Sequence, residues 1–266
     1  MRSLQLPFTV VMEAEGATVV GRRRHARAVL AMVGSMALLA VSACSQDGAT
    51  SAKTVRELAG SAEAVRARTR AEQQIRETIA HWDARTPLTL GLVTVDDFCK
   101  GGRAEELFFQ DGDDRYEIRC MMFVNAYFGA DPRHVSATLD GILTAGDAAG
   151  SPIPFGHDFF YATRVVDYYR GRTGDPAGPG TGEPKELFDA GSGTLSWDQV
   201  RQRGRRELVG EPPACSPGDP PVQRCLREPA PATVAKLRRR YGMVFKLSFP
   251  SQDYFTVYKD GQTVSG

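Results

Sequence analysis

The stretch from Arg22 to Cys44 constrains this chain more than any other feature. Arg22-Arg23-Arg24-His25-Ala26-Arg27 is a basic cluster, Ala28 to Ala40 is an uncharged apolar run (AVLAMVGSMALLA), and small residues follow at Ser42 and Ala43. Basic, apolar, small is the order of a secretory signal peptide. The run is shorter than the ~20 apolar residues that a membrane-spanning helix needs, and Gly34 and Ser35 interrupt it. An N-terminal helix buried in the fold, ending in a chance cysteine, is the alternative, but it leaves the ordered sequence of charge, apolar run and small residues unexplained. The rest of the chain is therefore expected to fold in an oxidising compartment, where cysteines pair.

Val41-Ser42-Ala43-Cys44 resembles the lipobox of bacterial lipoproteins, and the whole leader is similar to those of lipoproteins from high-GC Gram-positive bacteria. The resemblance covers the first 44 residues and speaks to processing, not activity. It implies that the Cys44 thiol receives a diacylglycerol and that the bond before it is cut, which removes residues 1–43. Small residues at 42 and 43 let a peptidase approach, and a thiolate is the natural nucleophile for lipid transfer. Two acyl chains, at about 0.8 kcal/mol per buried CH₂, suffice for stable anchoring at a membrane. Residues 44–53 then read as the lipidated cysteine and a polar flexible tether, and residues 54–266 as one extracytoplasmic domain on the outer face of the membrane. Apolar residues do not follow the paired arginines directly, which favours the general secretory route. The stretch before Gly21 is long for such a leader, so translation from Met12, Val19 or Val20 is an alternative start.

Removing the leader leaves 28 basic against 30 acidic residues. Nucleic-acid binding needs a strong basic excess to neutralise phosphates, and no nucleic-acid partner is expected. The four remaining cysteines, Cys99, Cys120, Cys215 and Cys225, form an even set. They allow three connectivities, of which we prefer Cys99–Cys120 and Cys215–Cys225. The second would close a Pro/Gly-rich loop (SPGDPPVQR) that has little core of its own. A zinc site is the competing reading, but neither pair has CxxC spacing and histidine is scarce.

Residues 52–85 carry helical periodicity through Val65, Ile75, Ile79 and Trp82. Gly60-Ser61 serves as break and N-cap, and Pro87 as the stop. Leu88–Val95 reads as a strand. Residues 107–109 and 115–128 read as a hairpin about Asp111-Gly112-Asp113-Asp114, with Tyr116, Ile118, Cys120, Met122 and Val124 on one face. The opposite face turns apolar at Met121 and Phe123, which suggests cover on both sides. Asp131-Pro132 opens a helix with a buried stripe of Val135, Leu139, Ile142 and Leu143. Residues 158–170 read as a long strand, 171–193 as a Gly/Pro-rich loop, and 196–208 as a short helix capped by Ser196. Thr233–Arg240 reads as a helical turn or two. Met243–Phe249 and Tyr254–Tyr258 read as a closing hairpin. The sum is an α+β fold with a mainly antiparallel sheet, a long N-terminal amphipathic helix and one or two packing helices.

Motifs for catalysis are missing. HExxH, GxSxG, SxxK, the P-loop and GxGxxG do not occur, and no cofactor or metal is implied. Asp111–Asp114 lacks the spaced ligands of a calcium loop. His157-Asp158 would point to opposite faces of a strand and form no dyad. Tyr161, Tyr168, Tyr169, Tyr254, Phe255 and Tyr258 read as core before groove. Arg201, Arg203, Arg205 and Arg206, with Arg238 to Arg240, form two basic clusters that suit anionic lipid or wall polymer, or else a solvated face. The expectation is a membrane-anchored, non-catalytic binding or accessory module of the cell envelope, with an envelope protein or wall polymer as partner. The alternatives are a cell-wall or lipid-acting enzyme with an unrecognised site and a small solute-binding lipoprotein.

Overall fold

In the computed structural model, residues 48–104, 115–173, 182–202, 206–214 and 220–266 are described. Two helices come first, α1 (Ala52–Ala59) and α2 (Ala62–Arg85), parted at Gly60. The Ser51 and Ser61 hydroxyls accept from the amides of Thr54 and Ala64, satisfying N–H groups that a helix start leaves free. Thr50 already donates its amide to Gly102 O, so residues 50–53, assigned above to the tether, belong to the folded domain. On α2 the buried stripe is Ala64, Ala67, Ala71, Ile75, Ile79 and Trp82; Val65, expected in it, is 43% exposed.

The sheet is antiparallel throughout; its strands in spatial order are β3 (Glu186–Asp189), β4 (Gly193–Trp197), β6 (Met243–Ser248), β2 (Tyr116–Ala130), β1 (Thr89–Gly101) and β5 (Val222–Glu228), with β7 (Gln252–Tyr258) and β8 (Thr263–Ser265) off that path. Its centre is β1 (Thr89–Gly101) beside β2 (Tyr116–Ala130). Along the other edge of β2 run β6 (Met243–Ser248), then β7 (Gln252–Tyr258). These two do not form the expected hairpin. Ser248 lies opposite Asn125, Phe249 N donates to Val124 O, and Gln252 lies opposite Met122. They are one strand direction broken at Pro250, which has no N–H to give the ladder. The terminal β8 (Thr263–Ser265) pairs with β7.

Three further expectations give way. Residues 160–170 are a helix, α4 (Phe160–Arg170), not a strand. Its buried residues, Ala162, Val165, Val166 and Tyr169, follow a period of three to four, while Phe160 is 73% exposed. β-branched and aromatic residues favour strands only weakly, and the core-facing period overrides them here. The segment 171–193 contains β3 (Glu186–Asp189) and the start of β4 (Gly193–Trp197), joined by a tight turn at Gly191-Ser192. Ser196 caps no helix; it lies in β4 opposite Glu186 and Lys246, and extended chain follows. The proposed turn at 111–114, the strand 107–109 and residues 174–181 lie outside the described residues.

Asp131 accepts from Arg133 N and starts the turn Pro132–His134, from which α3 (Val135–Gly146) continues. Its stripe Val135, Leu139, Ile142 and Leu143 is buried as expected. The main core lies on one face of the sheet, where Trp82, Ile142, Phe155, Val165 and Trp197 meet Val95, Met122, Phe128 and Phe245. The other face has a smaller core. There α5 (Val234–Tyr241), started by the Thr233 hydroxyl on Lys236 N, sets Val234 and Leu237 against Leu92, Tyr127 and Val244. Phe123 on this face stays 40% exposed and stacks on Phe98, so the cover begins only near Tyr127. At the edge beside β1 lies β5 (Val222–Glu228), which pairs with it.

Candidate anion-binding pocket

A pocket of about 540 Å³ opens where the Pro132–His134 turn, the chain after β4 and α5 meet. Four arginines line it, Arg133, Arg201, Arg206 and Arg238, against a single carboxylate, Asp198. The two basic clusters read from the sequence thus meet through Arg201, Arg206 and Arg238, while Arg203 and Arg205 lie outside the described residues. Arg239 points to solvent and Arg240 stacks over Tyr241. Arg133 was not singled out by sequence.

The loop after β4 is held by a buried carboxylate, Glu183, only 6% exposed. Its Oε1 accepts from Val200 N at 2.8 Å; Oε2 accepts from Arg201 N at 2.8 Å and Gln202 N at 2.7 Å. Three successive amides aimed at one anion form a nest. The Tyr169 hydroxyl, 2.9 Å from Oε1, also accepts from Trp197 Nε1. Burial above all pushes that phenol far up from its ordinary value, so it stays protonated.

Arg201, fixed at its backbone by this nest, turns its guanidinium to the end of α4. It donates to Tyr168 O at 2.8 Å and to Tyr169 O, with the Tyr169 ring 5.4 Å away. Helix C-terminal carbonyls favour a cation, yet among the described residues no carboxylate pairs with this one. Arg238 differs. It grips Asp198 through Nε at 2.7 Å and Nη2 at 2.8 Å, and this pairing holds the guanidinium pKa up. Asp198, 2% exposed, also accepts from Val209 N and Val244 N, so it is saturated. Arg206 spends only Nε, on Gln202 O at 3.3 Å, and Arg133 pairs with Asp131 in solvent. The pocket holds fixed donors and an excess of positive charge, which is the chemistry of retaining an anion.

Elsewhere, His157 and Asp158 form no dyad, and they precede a helix, not a strand. The His157 Nδ1 lies 2.5 Å from Asp147 Oδ2 and Nε2 lies 3.2 Å from Asp140 Oδ1, which ties α3 to the start of α4. Of the aromatic set, Tyr169, Tyr254 and Phe255 are core. Tyr254 donates at 2.6 Å to Asp97, a buried carboxylate that also pairs with Arg68 and Arg224 at 3.1 Å each and so pins α2 over the sheet. Cys99 and Cys120 face each other across β1 and β2 and are joined by a disulfide with no exposure. Cys225 is a disulfide cysteine as well; Cys215 and the lipidation candidate Cys44 lie outside the described residues. Among the described residues no group of His, Cys, Asp and Glu is placed to hold a metal ion, and no helix is long and apolar enough to cross a membrane.

No protein-family model, curated protein or solved structure matches the chain.

Proposed function

We propose that this chain is a lipoprotein of the bacterial envelope, cut before Cys44 and acylated there, that presents an α+β binding module on the outer face of the membrane. The arginine-lined pocket carries the binding half of this reading: four guanidinium groups line it beside one saturated carboxylate, a set suited to holding an anionic envelope partner without chemistry on it. The leader and lipobox support the anchor. The buried Cys99–Cys120 disulfide supports export, since such bonds persist in oxidising compartments. In this arrangement a few polar residues separate the bilayer from α1, and the long helix α2 clamps the sheet behind them. A second disulfide, Cys215–Cys225, is part of the proposal.

The test is fractionation of cells that express the full chain and a Cys44→Ser variant, with metabolic labelling by an alkyne fatty acid. The native chain should take up label and sediment with membranes. The variant should lose both properties. Equal membrane retention and identical processing of Cys44→Ser would overturn the anchor.

A further inference from the structure

We infer that the Arg133–Arg201–Arg206–Arg238 pocket takes a phosphate-bearing ligand with at least two negative charges. The inference rests on the binding reading above and names the ligand class.

The charge comes from three separate segments: Arg133 before α3, Arg201 and Arg206 after β4, and Arg238 on α5. Such convergence is not the pattern of a solvated helix face, where like charges lie along one element. The nearby carboxylates have no capacity left. Asp198 accepts four hydrogen bonds, and Glu183 accepts three amides beside the Tyr169 hydroxyl. Neither can turn to neutralise Arg201 or Arg206.

Donors remain unspent. A guanidinium offers five N–H groups. Among the described residues Arg206 uses Nε alone, and Arg201 uses Nη1 and Nη2 toward carbonyls that carry no net charge. The carbonyls and the Tyr168 and Tyr169 rings fix the plane of Arg201, so little side-chain freedom is lost when a ligand arrives.

Asp131 balances Arg133 and Asp198 balances Arg238, which leaves Arg201 and Arg206 without a carboxylate partner among the described residues, two charges that a single carboxylate would not balance. The planar fork of arginine matches phosphate oxygens two at a time, and guanidinium is weakly hydrated, so phosphate contacts are its favoured use. The volume falls within the ~300–1,000 Å³ of small-ligand sites, room for more than one phosphate group.

The test uses the full chain in micelles of an uncharged detergent, at fixed ionic strength. Pyrophosphate and citrate, of comparable charge, are titrated by calorimetry. Pyrophosphate should bind at least tenfold more tightly than citrate. Arg206→Ala and Arg133→Ala, both exposed and not partners of the Glu183 nest or of Asp198, should each weaken it about tenfold, the loss expected for one charge-assisted contact. Their circular dichroism should match the native chain. Equal affinity for citrate would sink the phosphate assignment while leaving the binding module standing. No binding of either anion by a folded chain would remove the pocket from the binding reading itself, whatever labelling of Cys44 shows. Two further arms locate the source: soluble polyphosphate, and phosphatidylcholine vesicles with and without phosphatidylglycerol. Arginine-dependent binding in either arm supports the inference and identifies a polymer or a lipid headgroup. Binding that ignores both substitutions overturns it.

Discussion

At the scale of single residues, hydrogen-bond capacity decides what each polar side chain is worth. Glu183 shows this best: one buried carboxylate satisfies three consecutive, part-buried amides. Glu183→Ala should therefore destabilise the domain by roughly 3–5 kcal/mol, as expected for breaking a buried charged network. Chemical denaturation would measure it, and a loss under about 1 kcal/mol would mean water replaces the carboxylate freely. His157 makes a pH prediction. Hydrogen bonds to Asp147, then Asp140, raise its imidazole above the ordinary 6.5, while Asp147 is held below 3.8 by the same contact. A raised histidine contributes stability that is fully present below pH 6.5 and fades as pH rises through the folded value. The Asp147 part is present above pH 3.8 and fades as pH falls through its lowered folded value. The native chain should thus lose stability as pH rises above 6.5, and His157→Gln should flatten that slope. Much at this scale was legible. Ser61, Asp131 and Thr233 sit where helix starts need oxygen acceptors. Glu183 was not, because nothing local marks a glutamate whose partners lie seventeen to nineteen residues onward.

Elements were legible where periodicity and propensity agree, and misread where they conflict. For α3 both point to helix. In α4 the run Phe159-Phe160-Tyr161 and the paired valines suggest a strand, yet the apolar positions repeat at helical spacing. At β6 and β7 a proline between two apolar runs reads as a hairpin turn, but a long partner, β2, can pair with both runs in succession. The length of β2, not the local sequence, settles that case. The seat of α5 depends on glycines. A Cβ on Gly129 would lie 2.2 Å from the Tyr241 ring, and one on Gly91 would lie 2.1 Å from Leu237. Backbone therefore meets side chain directly under this helix. Gly129→Ala must push Tyr241 outward and should cost about 1–3 kcal/mol, the usual range for overpacking. If α5 is only loosely seated, the substitution will leave the denaturation midpoint unchanged, and a double variant with Tyr241→Ala will show no recovery.

For the molecule as a whole, one pair of strands bears both layers. Face assignments along β1 and β2 place Val95, Met122 and Phe128 in the main core and Leu92 and Tyr127 under α5. The antiparallel α+β character followed from alternation along these strands. The sheet order did not, because pairing between residues more than a hundred positions apart leaves no local mark. The pocket was hidden for the same reason: Arg201, Arg206 and Arg238 read as members of two separate basic clusters, and Arg133 as neither, until the fold brought them together. The Cys99–Cys120 disulfide joins the two strands at the end away from α5 and closes a loop of 21 residues. In the chain-entropy account a loop of this size is worth about 3 kcal/mol, through the unfolded state. For a domain of this length each kcal/mol moves the melting point by about 2–4 °C. The Cys99→Ala/Cys120→Ala variant should therefore melt about 6–12 °C below the native chain. Because β1 and β2 support both cores, the loss should appear as one shifted transition for the whole domain. A separate early transition in the variant, with the remainder melting at the native temperature, would show that the two faces of the sheet do not depend on this strand pair together.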